Sequence, residues 1–259
     1  MERVFRGLYN ISIVLFCISL ILVYGVFSEI FIRDESNRLI KRARFLNKVS
    51  KFGLKLIGIK VYFKGRVNLS GEEGVFIVSN HLSYIDIVII SSIFETAFVS
   101  TTEVKSDKIF GKLASFSGSV FIDRKNRLKV REDMEKLETV LNNKINLCIF
   151  LEGTTSNGDR VLPFKSSYLE VVFKTQKPVL ALCIKYKRFN SIEIGVENRD
   201  YVYYYGDHKL LNHILRFLLN LKTLDVEVID VGLYMPKDFP SRKELSGVLQ
   251  TDISEVYCS

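Results

Sequence analysis

His81 and Asp86, five residues apart, are the pair in this sequence best suited to moving a proton. They lie in Asn80-His81-Leu82-Ser83-Tyr84-Ile85-Asp86, between the apolar runs Val75-Phe76-Ile77-Val78 and Ile87-Val88-Ile89-Ile90. The first run reads as a strand and the second as a helix, so the imidazole falls at a strand end with a carboxylate at the next helix start. In that arrangement the carboxylate fixes the tautomer and stabilises the imidazolium, while the other ring nitrogen takes a proton from a substrate hydroxyl. No Gly-x-Ser-x-Gly elbow occurs, so a serine nucleophile is not expected. The sole Gly-Lys pair, Gly111-Lys112, is followed by Leu113, which speaks against a phosphate loop. His208 and His213 fall in or beside a helical stretch and read as structural or surface groups. Cys17, Cys148, Cys183 and Cys258 are scattered without a Cys-x-x-Cys pair, so neither a disulfide scaffold nor a metal site is expected.

Three more segments place polar residues at strand ends. They are Gly118-Ser119-Val120-Phe121-Ile122-Asp123-Arg124, Phe150-Leu151-Glu152-Gly153-Thr154-Thr155-Ser156, and Leu162-Pro163-Phe164-Lys165 followed by Pro178 and an apolar strand. Each is weak alone: an Asp-Arg pair is usually a salt bridge, and Glu-Gly-Thr is usually a turn. In this order, the chain resembles the glycerolipid acyltransferases typified by 1-acylglycerol-3-phosphate acyltransferase, clearly over about residues 60–190. The family's Asn-His-x4-Asp block is matched by Asn80, His81 and Asp86, and its Gly-x-x-Phe-Ile-x-Arg block by Gly118, Phe121 and Arg124. Its Phe-Pro-Glu-Gly-Thr-Arg-Ser block is matched in part, with Leu151 in place of the Pro and Thr155 in place of the Arg.

The resemblance implies transfer of a fatty acyl group from an acyl-CoA or acyl carrier protein thioester to the free hydroxyl of a lyso-glycerolipid. The thioester is a co-substrate, and no other cofactor is implied. Lysophosphatidate is the expected acceptor. A lyso-lipid with another head group, a lysophospholipid or a lyso-ornithine lipid, is the alternative, and a non-catalytic membrane-anchored lipid-binding protein the more distant one. His81 and Asp86 are then the catalytic pair, with backbone N–H groups at the following helix start as expected oxyanion donors. Asn80, Gly118, Phe121, Arg124, Glu152, Gly153, Thr154, Thr155, Arg160 and Lys165 are expected to bind the substrate. Among them, Arg124 suits the phosphate, Glu152 and Gly153 shape the acceptor pocket, and Arg160 or Lys165 replaces the cation missing at Thr155.

The elements that must position these residues alternate. Strands are expected at Val61–Lys64, Val75–Ser79, Ala97–Thr102, Ser119–Asp123, Leu147–Leu151, Val179–Tyr186 and Val226–Tyr234. Helices are expected at Ile85–Phe94, Lys108–Phe116, Leu128–Asn142, Ser167–Thr175, Lys209–Leu221 and Arg242–Ile253. This alternation predicts an α/β domain with a mostly parallel sheet flanked by helices.

Before it, Gly7–Ser28 holds 22 consecutive uncharged residues, long enough as a helix for a hydrocarbon core of about 30 Å, and reads as a membrane helix, with a signal peptide and a buried core helix as the alternatives. Residues 33–64 then hold ten basic side chains against two acids, while residues 65–259 are balanced, so the excess of +8 is local. A nucleic-acid partner is not expected from such a distribution. Phe45, Val49, Phe52, Leu56 and Ile59 form one helical stripe, and Lys41, Arg44, Lys48, Lys51 and Lys55 form another beside it. The pattern predicts an interfacial helix on the membrane bilayer; a helix packed on the catalytic domain is the alternative. Two units are expected: residues 1–60 as membrane-associating helices and residues 61–259 as the catalytic domain. The positive-inside tendency puts the latter on the cytosolic face, at the inner membrane in a bacterium.

Overall fold

The computed structural model describes residues 2–67, 69, 74–123 and 129–259. Its strands are β1 (Ile59–Lys64), β2 (Phe76–Ser79), β3 (Ala97–Thr101), β4 (Ser119–Ile122), β5 (Leu147–Ile149), β6 (Val179–Phe189), β7 (Ile192–Glu193) and β8 (Leu224–Tyr234). They form one sheet in the order β1-β8-β6-β2-β5-β3-β4, with the short β7 beside β6. The helices are α1 (Glu2–Phe31), α2 (Glu35–Ile57), α3 (Ile85–Ile93), α4 (Thr102–Ser106), α5 (Phe110–Phe116), α6 (Val130–Asn142), α7 (Glu170–Thr175), α8 (Leu210–Asn220) and α9 (Arg242–Cys258).

Strand residues alternate between two cores. Ile77, Cys148, Leu180, Leu182 and Ile184 face one side with α2, α3 and α8, and Phe76, Leu147, Ile149, Val179 and Ala181 face the other with α6, α7 and α9. A sheet buried on both faces requires strands apolar at nearly every position, which is why β2 and most of β6 are uninterrupted hydrophobic runs.

The expected α/β class with a mostly parallel sheet is what the chain forms, with one difference. β6, β2, β5, β3 and β4 run parallel, but β8 returns antiparallel to β6, and β1 pairs parallel with β8. The cause lies at the end of β6. The Asn190 side-chain oxygen accepts from Lys222 and Thr223 N–H, at 2.7 and 3.1 Å, and its own N–H donates to the Thr223 carbonyl. The chain therefore re-enters the sheet at the end it left, and the intervening α8 makes no crossover.

The first two helices are part of the same body. Ile21 of α1 and Leu46, Val49, Leu54 and Ile57 of α2 are buried in the core shared with α3 and α8. Residue 60 is therefore not a packing boundary. On α2 the buried face runs Ala43, Leu46, Val49, Ser50, Leu54, Ile57, offset from the expected stripe. Phe52 stays half exposed, and Phe45 stacks on Tyr24 of α1 at 4.1 Å. Packing against two helices, rather than one lipid surface, sets which residues turn inward. The basic stripe does face out at Lys41, Lys48, Lys51 and Lys55, while Arg44 pairs with Glu95.

α1 is long and apolar enough to cross a membrane by length and composition. One side of it is nevertheless held to the protein from end to end. Asn10 donates from its side-chain nitrogen to the carbonyls of Leu218 and Leu221, at 3.0 and 2.8 Å. Gly25 lies so close to Phe116 that a Cβ there would fall 2.2 Å from the ring. The buried Arg42 of α2 donates to Ser28, to the Gly25 carbonyl and to Glu29. The opposite side, with Phe5, Leu8, Leu15, Phe16, Val23 and Phe27, is exposed.

Candidate active site

β2 delivers Asn80 and His81 at its carboxyl end, where ligands bind in parallel sheets. The His81 Nδ1 lies 2.8 Å from Asp86 Oδ2. A carboxylate can only accept, so Nδ1 carries the proton and Nε2 presents a lone pair. Nε2 has no hydrogen bond among the described residues. The ring stacks flat on Phe150, centroids 3.8 Å apart and planes within 7°. It remains partly exposed, whereas Asp86 is fully buried.

Asp86 is surrounded by donors. Its Oδ2 also accepts from the N–H groups of Leu82 (2.7 Å) and Ser83 (2.9 Å), and its Oδ1 accepts from the Tyr186 hydroxyl (2.5 Å). The loop of His81 thus folds around the carboxylate that serves it.

The same bonds alter one expectation. The N–H groups of Leu82 and Ser83 are spent on Asp86, that of Asp86 on the Ser83 carbonyl, and that of His81 on Glu152. These amides at the helix start are not available to an oxyanion.

Glu152 is buried and bridges two loops. Oε1 accepts from His81 N–H at 2.6 Å, and Oε2 accepts from Leu162 N–H at 2.8 Å. Burial pushes its pKa up to about 7, against the lowering effect of those two backbone bonds. Ser156 N–H donates to the His81 carbonyl at 3.0 Å, tying the post-β5 loop to the histidine a second time. Glu152 is thus a clamp on the histidine loop.

Asn80 is likewise turned to the backbone. Its amide accepts from Ile184 N–H (2.7 Å) and donates to the Ile184 carbonyl (2.9 Å), clipping β2 to β6. Gly118 has φ +86°, and its Cα faces Leu39 and Arg42 of α2 at 3.3–3.4 Å from a notional Cβ. It serves packing between α2 and β4, where a side chain would be both strained and crowded. Phe121 lies on the edge strand β4 with the Lys105 ammonium 5.4 Å over its ring. β4 stands three strands from β2, about 14 Å across the sheet. Arg124 lies outside the described residues.

Gly153 and Lys165 share one small depression with Phe150 and Tyr168. Thr154 and Arg160 are exposed, and Thr155 is half-buried. Of the residues singled out by sequence, His81, Asp86, Asn80, Glu152, Gly153 and Lys165 converge at the ends of β2, β5 and β6, while Gly118 and Phe121 lie apart.

Sequence reasoning did not identify Phe150, Tyr186 or the Tyr84–His213 pair. A tyrosine inside an otherwise apolar strand was the available signal for Tyr186, because a buried phenol needs a partner. His213 is buried, with Nδ1 3.1 Å from Tyr84 Oη and Nε2 2.9 Å from the Tyr203 carbonyl. Nε2 therefore carries its proton, and burial lowers its pKa.

A buried carboxylate and an oriented imidazole whose Nε2 meets no nucleophile among the described residues form a site for activating a hydroxyl in group transfer. The profile described as Acyltransferase matches residues 60–185, and this chain belongs to that family as a lyso-lipid O-acyltransferase. Among its relatives, the lyso-ornithine lipid O-acyltransferase of Brucella abortus is 30% identical over 196 residues, 72% of each chain. That of Rhizobium meliloti is 31% identical over 202 residues, 75% of this chain and 68% of its own. The 1-acyl-sn-glycerol-3-phosphate acyltransferase of Neisseria gonorrhoeae is 31% identical over 130 residues, half of each chain. The crystal structure of the 1-acyl-sn-glycerophosphate acyltransferase PlsC from Thermotoga maritima shares the fold, with a TM-score of 0.69, 21% identity, and coverage of 99% of this chain and 96% of that one.

Proposed function

We propose that this protein acylates the hydroxyl of a lyso-lipid whose head group carries a carboxylate and no phosphate monoester, as in a lyso-ornithine lipid. The carrying observation is Thr155. The position held by an Arg in the resembling family is neutral here, and of the cations in residues 151–165 only Lys165 lines the depression beside Phe150. A dianionic phosphate calls for more than one cation, whereas a carboxylate is matched by one. The alignments to the Brucella and Rhizobium lyso-ornithine lipid acyltransferases run longer than that to the Neisseria gonorrhoeae enzyme at about the same identity, which supports this reading over the lysophosphatidate expected from sequence. The second reading, lysophosphatidate, rests on the intact Gly118–Arg124 block.

His81 Nε2 takes the acceptor hydroxyl proton as the oxygen attacks the carbonyl of an acyl-CoA or acyl carrier protein thioester. Asp86 holds the imidazolium formed. The thiolate leaves without an acyl-enzyme, because both substrates are held together.

We further propose that α1 lies along the bilayer surface rather than across it. Its inner side is occupied from Asn10 to Arg42's partners, its outer side is apolar, and the lysines of α2 flank it. The exposed leucines of α8, Leu211, Leu215 and Leu219, continue that apolar surface beside Gly7. The positive face of α2 suits the anionic cytosolic leaflet.

The acceptor is tested by competition among lyso-ornithine lipid, lysophosphatidate and lysophosphatidylethanolamine at equal concentration, in wild type and Thr155→Arg. Preference for the ornithine lipid, shifted toward lysophosphatidate by Thr155→Arg, supports the first reading. Preference of the wild type for lysophosphatidate sinks it.

A further inference from the structure

The buried carboxylate of Asp86 has a partner on the far side that no motif supplies. Tyr186, on β6 and 100 residues downstream, donates its hydroxyl to Asp86 Oδ1 at 2.5 Å, while His81 and two backbone N–H groups occupy Oδ2. Tyr186 is itself buried and packs on Tyr203, centroids 5.6 Å apart. Its position follows from the register of β6 on β2, which Asn80 sets by bonding both the N–H and the carbonyl of Ile184, two residues earlier on the same face. The residue next to the histidine therefore fixes the strand that carries the hydroxyl to the aspartate.

We infer that Tyr186 is a positioning residue of the acyl transfer, holding Asp86 so that His81, Asp86 and Tyr186 work as one hydrogen-bonded chain. The inference rests on His81 and Asp86 forming the reaction centre. Without the phenol, Oδ1 would be a buried charged oxygen with no donor among the described residues. The carboxylate would then be free to turn away from Nδ1, and, with its charge concentrated, it would pull harder on the imidazole proton. Burial and the adjacent carboxylate raise the Tyr186 pKa well above that of a free phenol, so it remains a donor at every working pH.

Other titratable groups face this centre. Cys148 on β5, Tyr203 and Tyr257 are held protonated by burial, and Glu152, pushed up to about 7, titrates in the working range. Glu152 would enter any rate profile, so the histidine must be observed directly. Three histidines in the chain make that practicable by imidazole nitrogen NMR of the full-length protein in micelles.

The variants are Tyr186→Phe, which removes one oxygen and keeps the ring, and 3-fluorotyrosine at 186, which keeps the fold's hydroxyl and makes it a stronger donor. In Tyr186→Phe the His81 titration moves up, and in the fluorinated protein it moves down. Plateau kcat falls about tenfold in Tyr186→Phe, with KM for both substrates within about twofold of wild type. In an Asp86→Asn background, the further effect of Tyr186→Phe is under about twofold, because the partner it acts through is gone. An unchanged His81 titration in both variants overturns the inference. So does a full tenfold loss that persists in Asp86→Asn. If Tyr186→Phe does not fold, the direction of the shift in the fluorinated protein decides. Failure of the underlying reading looks different: His81→Ala would retain turnover while the His81 titration still responded to Tyr186.

Discussion

His81 is held by three unlike contacts: a hydrogen bond to the Asp86 carboxylate, a flat stack on Phe150, and backbone bonds to Glu152 and Ser156. Its position is over-determined, as a base that must meet a hydroxyl within hydrogen-bond reach requires. Replacing it by Ala should lower turnover by about 10²–10⁴ while thermal unfolding stays near wild type, since the ring is partly exposed. Near-normal turnover would remove it from the chemistry. Glu152 supplies a pH prediction. Its folded pKa, about 7, stands above the ordinary 4.5, so folding favours the protonated form. That contribution is fully present below about pH 4.5 and is lost as the pH rises through about 7. Wild type should therefore lose stability relative to Glu152→Gln across this window, by about 2–3 kcal/mol, as read from urea unfolding at both ends. A difference independent of pH would contradict it. The His81–Asp86 pair was legible in sequence because its spacing is local. Asn80, Gly118 and Glu152 were visible as motif residues, but their partners, Ile184, α2 and Leu162, are fixed only by tertiary packing.

α1 shows how an element can be recognised from sequence while its packed side is not. A run of 22 uncharged residues announced a helix, yet hydropathy averages over its sides. Gly7, Asn10, Ile21, Gly25 and Ser28, at steps of 3, 11, 4 and 3 that each return to one helix face, mark the buried side. Asn10 is the strongest test. Asn10→Ala leaves the carbonyls of Leu218 and Leu221 buried without their donor, and should cost about 1–3 kcal/mol. Amide hydrogen exchange should show the loss in the first turns of α1 and the last turn of α8. Uniform exchange across the protein would mean that the bond is not local to that junction. The antiparallel return of β8 was missed for a related reason: a strand-helix-strand pattern reads as a crossover unless Asn190 is known to join both strand ends.

Across the whole molecule, anchor and catalytic body share a core. Deleting residues 1–60 should therefore not release a soluble, active domain. It uncovers the core partners of Leu46, Val49, Leu54 and Ile57, and the product should aggregate or lose its cooperative unfolding transition. A truncated protein with a wild-type melting curve would refute this. Neutralising Lys41, Lys48, Lys51 and Lys55 is the gentler probe. These side chains are exposed, so the fold should survive while partition onto anionic vesicles falls about fivefold per charge at low salt. Binding that ignores both charge and salt would place the basic face away from the lipid. The sheet class and the membrane-seeking end were legible from composition and alternation; their fusion into one body was not, because it depends on contacts between the two ends of the chain.

The Asn10 amide and its acceptors lie 208 and 211 residues apart. At a ribosome's pace of about 5–20 residues per second, the helix is made roughly 10–40 s before α8 exists. During that interval the side destined for α8 has no partner within its own chain. A nascent apolar helix of this length is exposed to the translation and targeting machinery, and to any bilayer nearby, long before its native neighbour is made. The order of synthesis thus favours a chain that reaches the lipid first and closes its body over the helix afterwards.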